Sequence, residues 1–170
     1  MDSVLIRQIS RQDIESFHCC LDSVARERKY LGFITAPSLT KTRTSLIEDM
    51  ARDVIRLIAI DRSKVVGWCQ IKSGKWEGYT HMSWLQMGVH KEYRGQGIGT
   101  ALLSHALQEA RSQGLERVEL GVYAPNLAAI RLYKKYESRP KVGRREPGNL
   151  MEVMTMLLTW RCYSMRELLM

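Results

Sequence analysis

The sequence predicts an α/β (α+β) fold: a mixed, mostly antiparallel central sheet with helices on both faces. Three observations lead there. Short β-branched runs alternate with segments of helical periodicity along the whole chain. Two of those runs, 54–60 and 64–72, are separated only by Asp61-Arg62-Ser63, a turn too short for anything but an antiparallel return. At 170 residues, 45% hydrophobic and 26% charged, the chain can fill one core and no more, so a single domain over 1–170 is expected.

The elements follow in the order β-α-α-β-β-β-α-β-α-β-β. Val4-Leu5-Ile6-Arg7-Gln8-Ile9 reads as a first strand. Ser10 and Asp13 have the spacing of a capping box, and Ile14, Phe17, Leu21 and Val24 recur at helical spacing in a stretch running to about Lys29. A second helix follows Pro37-Ser38, with Leu39, Ile47 and Met50 among its apolar positions. The strand pair comes next, then a polar loop from Ser73 and a strand from Tyr79 to Val89. A helix from Gly97 to about Gln113 carries Gly99, Leu102, Leu103, Ala106, Leu107 and Ala110 on one face and Thr100, Ser104, Gln108 and Arg111 on the other. Gly114 closes it. A strand at Arg117–Tyr123 and a helix at Ala128–Tyr136 precede two weaker strands, Arg139–Arg144 and Met151–Thr159, around a Pro147-Gly148-Asn149 turn.

The net charge of +8 favours acidic partners, but the basic residues are scattered and no basic run interleaves with aromatics. Nucleic acid is therefore not the expected partner, although affinity falling steeply with salt would reveal one. No window approaches the roughly 18 apolar residues of a spanning helix, and Met1-Asp2-Ser3-Val4 lacks the layout of a secretory leader; the expectation is a cytoplasmic protein with no membrane partner. Cys19, Cys20, Cys69 and Cys162 lack the spacing of a metal site, so no metal is expected. They read as reduced and structural, with Cys69 the alternative of a nucleophile.

The chemistry concentrates where the third strand of the middle group meets the next helix, in Met87-Gly88-Val89-His90-Lys91-Glu92-Tyr93-Arg94-Gly95-Gln96-Gly97-Ile98-Gly99-Thr100. Glycines allow positive φ and let another molecule approach the main chain. The first N–H groups of a helix lack internal partners and its dipole adds positive charge, so such a turn binds phosphate. Ile98-Gly99 after Gly97 excludes the Gly-Lys-Ser/Thr of a P-loop. Glycines at every second position, after several strands, exclude the dinucleotide fingerprint.

A second motif, Asn126-Leu127-Ala128-Ala129-Ile130-Arg131-Leu132-Tyr133, opens the following helix. Asn126 is a good N-cap, and Tyr133 lies close to two turns further on, so both address the same side.

Together these segments resemble the GNAT superfamily of acetyl-CoA-dependent acyltransferases. Arg94-Gly95-Gln96-Gly97-Ile98-Gly99 matches the signature of Arg or Gln, two residues, Gly, one residue, then Gly or Ala. Asn126, Ala129, Ile130, Leu132 and Tyr133 match the second motif, and the similarity is strongest from about Val65 to Tyr136. The resemblance implies that acetyl-CoA is the cosubstrate and that Arg94, Gly95, Gln96, Gly97, Ile98, Gly99 and Thr100 hold its pyrophosphate. It implies that Met87, Val89 and Asn126 meet the pantetheine arm, and that Tyr133 donates a proton to the leaving thiolate. The sequence departs from the family pattern at Glu137-Ser138, where Gly-Phe is usual, and at Lys91, where Pro is common.

The implied reaction is direct attack of an acceptor amine on the thioester. No carboxylate stands between Tyr79 and Val89 to act as base; the strand offers His81, Ser83 and Gln86, with Glu77 just before it. The acceptor, a small amine or a protein amine, is to be read from Glu27 to Thr44 and the last strands. Arg26-Glu27-Arg28-Lys29-Tyr30-Leu31-Gly32-Phe33 either lines its pocket or covers the sheet. A non-catalytic acyl-CoA-binding module is the alternative reading, and association into a homodimer is left open.

Overall fold

The computed structural model describes residues 4–73, 82–136, 139–146 and 149–157. Its strands are β1 (Leu5–Gln8), β2 (Ile55–Asp61), β3 (Lys64–Ser73), β4 (Met82–Val89), β5 (Arg117–Tyr123), β6 (Arg139–Glu146) and β7 (Asn149–Leu157). Its helices are α1 (Ile14–Ala25), α2 (Leu39–Met50), α3 (Ile98–Ser112) and α4 (Leu127–Lys134). The element order is the one the sequence predicts.

The strands form one sheet in the order β1-β2-β3-β4-β5-β7-β6. Every neighbouring pair is antiparallel except β4 and β5. Those two pair only at Met82 with Arg117, Ser83 with Val118 and Trp84 with Glu119. Beyond that point they diverge, although β4 stays paired to β3 as far as Val89 and β5 to β7 as far as Tyr123. A wedge opens in the middle of the sheet.

Side-chain alternation sends the two faces of the sheet into separate cores. On one face Leu57, Cys69, Ile71, Leu85 and Leu120 pack against α3 and α4, through Leu102, Leu103, Ala106, Leu107 and Ile130. On the other face Ile58, Ile60 and Trp68 pack against Ile14, Phe17, Cys20 and Val24 of α1 and Leu46 of α2. Trp68 meets Phe17 edge-on, with ring centroids 5.9 Å apart. Gly88 makes room for that indole: a Cβ there would lie 2.3 Å from it.

The predicted capping box is present. The Asp13 carboxylate accepts from Ser10 N at 2.8 Å and Ser10 Oγ at 2.6 Å, and Arg7 holds it bidentately. Burial opposes ionisation of Asp13, but the bonds from Arg7 and Ser10 outweigh it and hold the carboxyl below its ordinary value. Gly114 ends α3 as expected, at φ +75°. Leu115 N donates to Ala110 O and Gly114 N to Arg111 O, a Schellman ending.

Two helix bounds need correction. α1 stops at Ala25 and not near Lys29, because the chain leaves the helix to form the loop of residues 26–35. The buried positions of α2 are Thr42 and Leu46, while Leu39 and Ile47 are exposed. One residue's rotation, about 100°, separates Ile47 from the buried stripe. α4 ends at Lys134, two residues short of the predicted Tyr136. Lys135 N donates to Leu132 O and Tyr136 N to Tyr133 O; these tight i to i−3 bonds finish the helix without a glycine. Residues 79–81 of the predicted third strand, Glu137-Ser138, the 147–148 turn and Cys162 lie outside the described residues.

Candidate active site

The glycine turn stands between β4 and α3. A single 3-10 turn at Lys91–Tyr93 leads in, tied down by the Tyr93 hydroxyl donating to Asp61 at 2.8 Å. Gly95 and Gly97 then adopt φ +76° and +83°, and Gly97 caps α3 in the left-handed region. A Cβ on either would meet nothing within 4 Å. The requirement is thus for backbone conformation, and the surface above it is open. Among the described residues, the N–H groups of Gly95 through Thr100 donate to no partner; the first main-chain bond into α3 is Ala101 N to Gly97 O. A run of six amides without partners among the described residues, three of them opening α3, can hold an anion.

Arg94 serves this turn differently from a mobile phosphate ligand. Its Nε donates to Val89 O at 2.9 Å, and its two terminal nitrogens donate to the Glu27 carboxylate at 2.8 and 2.5 Å. The guanidinium also stacks on Tyr30, 4.7 Å from the ring centroid. Hydrogen bonding to Glu27 raises its pKa further, so the charge is permanent. Arg94 therefore fastens the end of β4 to the loop after α1.

The wedge between β4 and β5 opens into a cleft of about 650 Å³. Of the residues assigned from sequence, Met87, Val89, Arg94, Gly95, Gly99, Asn126 and Tyr133 line it. Gln96, Gly97, Ile98 and Thr100 do not line it. What they offer is the main-chain N–H: the Ile98 side chain is buried on the core face of α3, and the Gln96 side chain donates to Glu92 O. Asn126 caps α4, its Oδ1 accepting from Ala129 N at 3.2 Å, which leaves its amide NH₂ available to a ligand. Tyr133 is 6% exposed, and among the described residues its hydroxyl has no hydrogen-bond partner. Burial pushes its pKa up, with the nearby Cys69 thiol adding to the effect, so the hydroxyl keeps its proton.

The opposite side of the cleft was harder to read from sequence. Trp84, Gln86 and Gly88 alternate on the face of β4 that meets α1 and α2, as the Gly88–Trp68 contact shows. Tyr123 points the same way from β5, its hydroxyl 3.9 Å from where a Cβ on Gly32 would stand. Tyr30, Leu31, Gly32 and Phe33 complete the wall, so this segment lines the cleft. The period-two pattern of β4 was available as a signal, but only the sheet register says which face is which.

Cys69 is fully buried under α3 and burial raises its thiol far out of reach, which removes it as a nucleophile. Cys20 is pushed up to about 12 for the same reason. Ser83 is buried, Gln86 bonds Gln70, and Glu77 and His81 lie outside the described residues. Among the described residues no group of His, Cys, Asp and Glu could hold a metal ion, and no helix is long and apolar enough to cross a membrane. A second concavity of about 510 Å³ mixes Arg26, Lys64 and Lys91 with Glu27 and Glu92, but neither Gly95 nor Gly99 lines it.

Residues 28–137 match the family model described as Acetyltransferase (GNAT) family. The chain belongs to this family. GNAT membership carries the class of chemistry, acyl transfer from acetyl-CoA, and the free amides, the wedge and the cleft fit that cosubstrate. Among relatives, an acetyltransferase of Sodalis glossinidius is 33% identical over 81 residues, 48% of this chain and 54% of that protein. An L-amino acid N-acyltransferase of Escherichia coli is 28% identical, over 52% of this chain and 55% of that one. The chain spans about half the length of these curated relatives. A GNAT acetyltransferase structure from Streptococcus pneumoniae superposes with a TM-score of 0.85 at 22% identity, covering 92% of this chain and 100% of that one. A phosphinothricin acetyltransferase from Sinorhizobium meliloti, solved with acetyl-CoA, gives 0.83 at 16% identity, covering 91% and 88%. These likenesses establish the fold.

Proposed function

We propose that this GNAT protein is an N-acetyltransferase that passes the acetyl group of acetyl-CoA to a primary amine by direct attack within a ternary complex. The observation that carries the reading is the row of free amides from Gly95 to Thr100 beside a cleft that runs through the sheet. A diphosphate at that row gains charge-assisted hydrogen bonds of roughly 1.5–3 kcal/mol each, together with the helix dipole.

The diverging strands do the second part. Among the described residues β4 beyond Trp84 has no strand partner on its β5 side, so its main-chain groups there can pair with the amides of a pantetheine arm. Met87 and Val89 keep this stretch in place, their side chains within 4 Å of the Gly99 Cβ position under α3. The Asn126 NH₂ addresses the same arm from α4.

Acetyl-CoA, when bound, supplies an acetyl group activated as a thioester. Tyr133 holds a proton on its hydroxyl, in a buried position that keeps it there, and delivers it to the sulfur as the carbon–sulfur bond breaks; the proton lost by the attacking nitrogen passes to solvent, from which the tyrosinate is reprotonated. The acceptor amine enters from the α1–α2 side, past Tyr30, Phe33 and Trp84. Relatives named N-alpha-acetyltransferase 30, from Schizosaccharomyces pombe, and L-amino acid N-acyltransferase support an amine acceptor.

A panel of amines incubated with acetyl-CoA, with free thiol followed over time, tests the reading. Amine-dependent thiol release together with an N-acetylated product is expected. CoA uptake without release for any amine would leave a binding module instead.

A further inference from the structure

We infer that the acceptor of this chain is an amine carried on a large apolar or aromatic body, and neither a polycation nor a minimal amine. The inference rests on the acetyltransferase reading above and deepens it by naming the substrate class. Tyr30, Leu31, Phe33, Trp84 and Tyr123 share the α1–α2 side of the cleft. Two of these rings are open to solvent: Trp84 is 47% exposed and Phe33 37%. Large rings left open at the mouth of a functional cleft mark a surface that a ligand covers.

The wall is fixed before any ligand arrives. Glu27 and Arg94 tie the loop to the end of β4 through two hydrogen bonds, and Tyr30 lies against the same guanidinium. Trp84 stands where β4 is still paired on both sides, to Lys72 and to Glu119. The rings are therefore held by the scaffold, so an apolar group placed among them loses water at little cost in ordering.

Charge argues the same way. The one formal charge on the described part of this wall's lining, Arg94, is neutralised by Glu27. The chain as a whole carries +8, which repels polycations such as polyamines at a distance. The faces of aromatic rings attract cations, but weakly where water has access. Apolar burial is the stronger effect here.

The test compares kcat/KM for phenylalaninamide, leucinamide, glycinamide and spermidine with acetyl-CoA. Phenylalaninamide and leucinamide should exceed glycinamide by about ten- to a hundredfold, and spermidine should be poorest. Phe33→Ala and Trp84→Ala, each checked for an unchanged melting profile, should shrink the ratio of phenylalaninamide to glycinamide several-fold. Calorimetry of the same amines with CoA-saturated protein should give the same order. Spermidine or glycinamide equal to phenylalaninamide in binding, or a ratio unchanged in both variants, would overturn the inference. If the calorimetric order holds while no amine releases thiol, the cleft's preference for apolar amines stands as binding and the acetyl-transfer reading falls.

Discussion

Gly97 and Gly99 stand two residues apart and answer different demands. Gly97 sits at φ +83° with open space around it, so any side chain meets backbone strain there and nothing else. Gly99 has no positive φ, and a Cβ on it would make ordinary contacts at 3.5 Å with Leu132 and 3.6 Å with Met87. Gly97→Ala should lose about 1–2 kcal/mol of stability and weaken CoA binding, whereas Gly99→Ala should melt within a degree or two of the parent. Thermal denaturation and calorimetry with CoA check both. Tyr133→Phe should lower turnover by roughly 10²–10⁴-fold and leave CoA affinity intact. Because burial raises the Tyr133 pKa above its ordinary value of about 10, kcat should show no loss from this group up to that pH. Gly97 and Gly99 stood out in the sequence because they sit in a strand-to-helix turn, and Tyr133 because its segment resembles the family's second motif. Trp84 was not legible there, and Phe33 only as one of two readings of its segment, since nothing local says which side of a strand or loop faces a cleft.

Glu27 and Asp49 show what elements add. Both carboxylates lie outside the motifs: Glu27 ties the loop after α1 to Arg94 at the glycine turn, and Asp49 ties α2 to the sheet. Asp49 of α2 accepts from Arg56 of β2 at 2.5 Å and from Lys72 of β3 at 2.7 Å. The Arg56 guanidinium is buried, over the Phe17 ring at 5.7 Å. Asp49→Ala strands that charge and should destabilise the fold by about 3–5 kcal/mol, measured by urea unfolding. Replacing both Asp49 and Arg56 with apolar residues should cost less. Glu27→Gln has a local consequence: amide hydrogen exchange should quicken across residues 26–33 and stay unchanged in α3. Neither pairing could be seen in the sequence, where the partners stand 67 residues apart for Glu27 and Arg94 and seven apart across a turn for Asp49 and Arg56. The boundary of α1 was misjudged for a related reason: residues 26–29 suit a helix, but the Glu27–Arg94 contact belongs to a loop.

At the scale of the molecule, the sheet is assembled around the place where it fails to pair. The order of elements was readable from periodicity, and so was the strand-to-helix turn. The divergence of β4 from β5 beyond Trp84 was not, because parallel pairing depends on two segments brought together by α3 and carries no local signature. On the proposed reading, that divergence gives the glycine turn a cleft long enough for a thioester arm. It places the turn, Asn126 and Tyr133 along one cleft and leaves the aromatic wall on the far side. The central claim is that the amides of residues 95–100 hold a diphosphate. Titrating ¹⁵N-labelled protein with CoA while recording amide spectra tests it most directly. The resonances of Gly95 to Thr100 should move most, and at the same CoA concentrations as those of Met87, Val89 and Asn126. Saturable CoA binding that leaves the 95–100 amides unmoved, or no binding, would contradict the account.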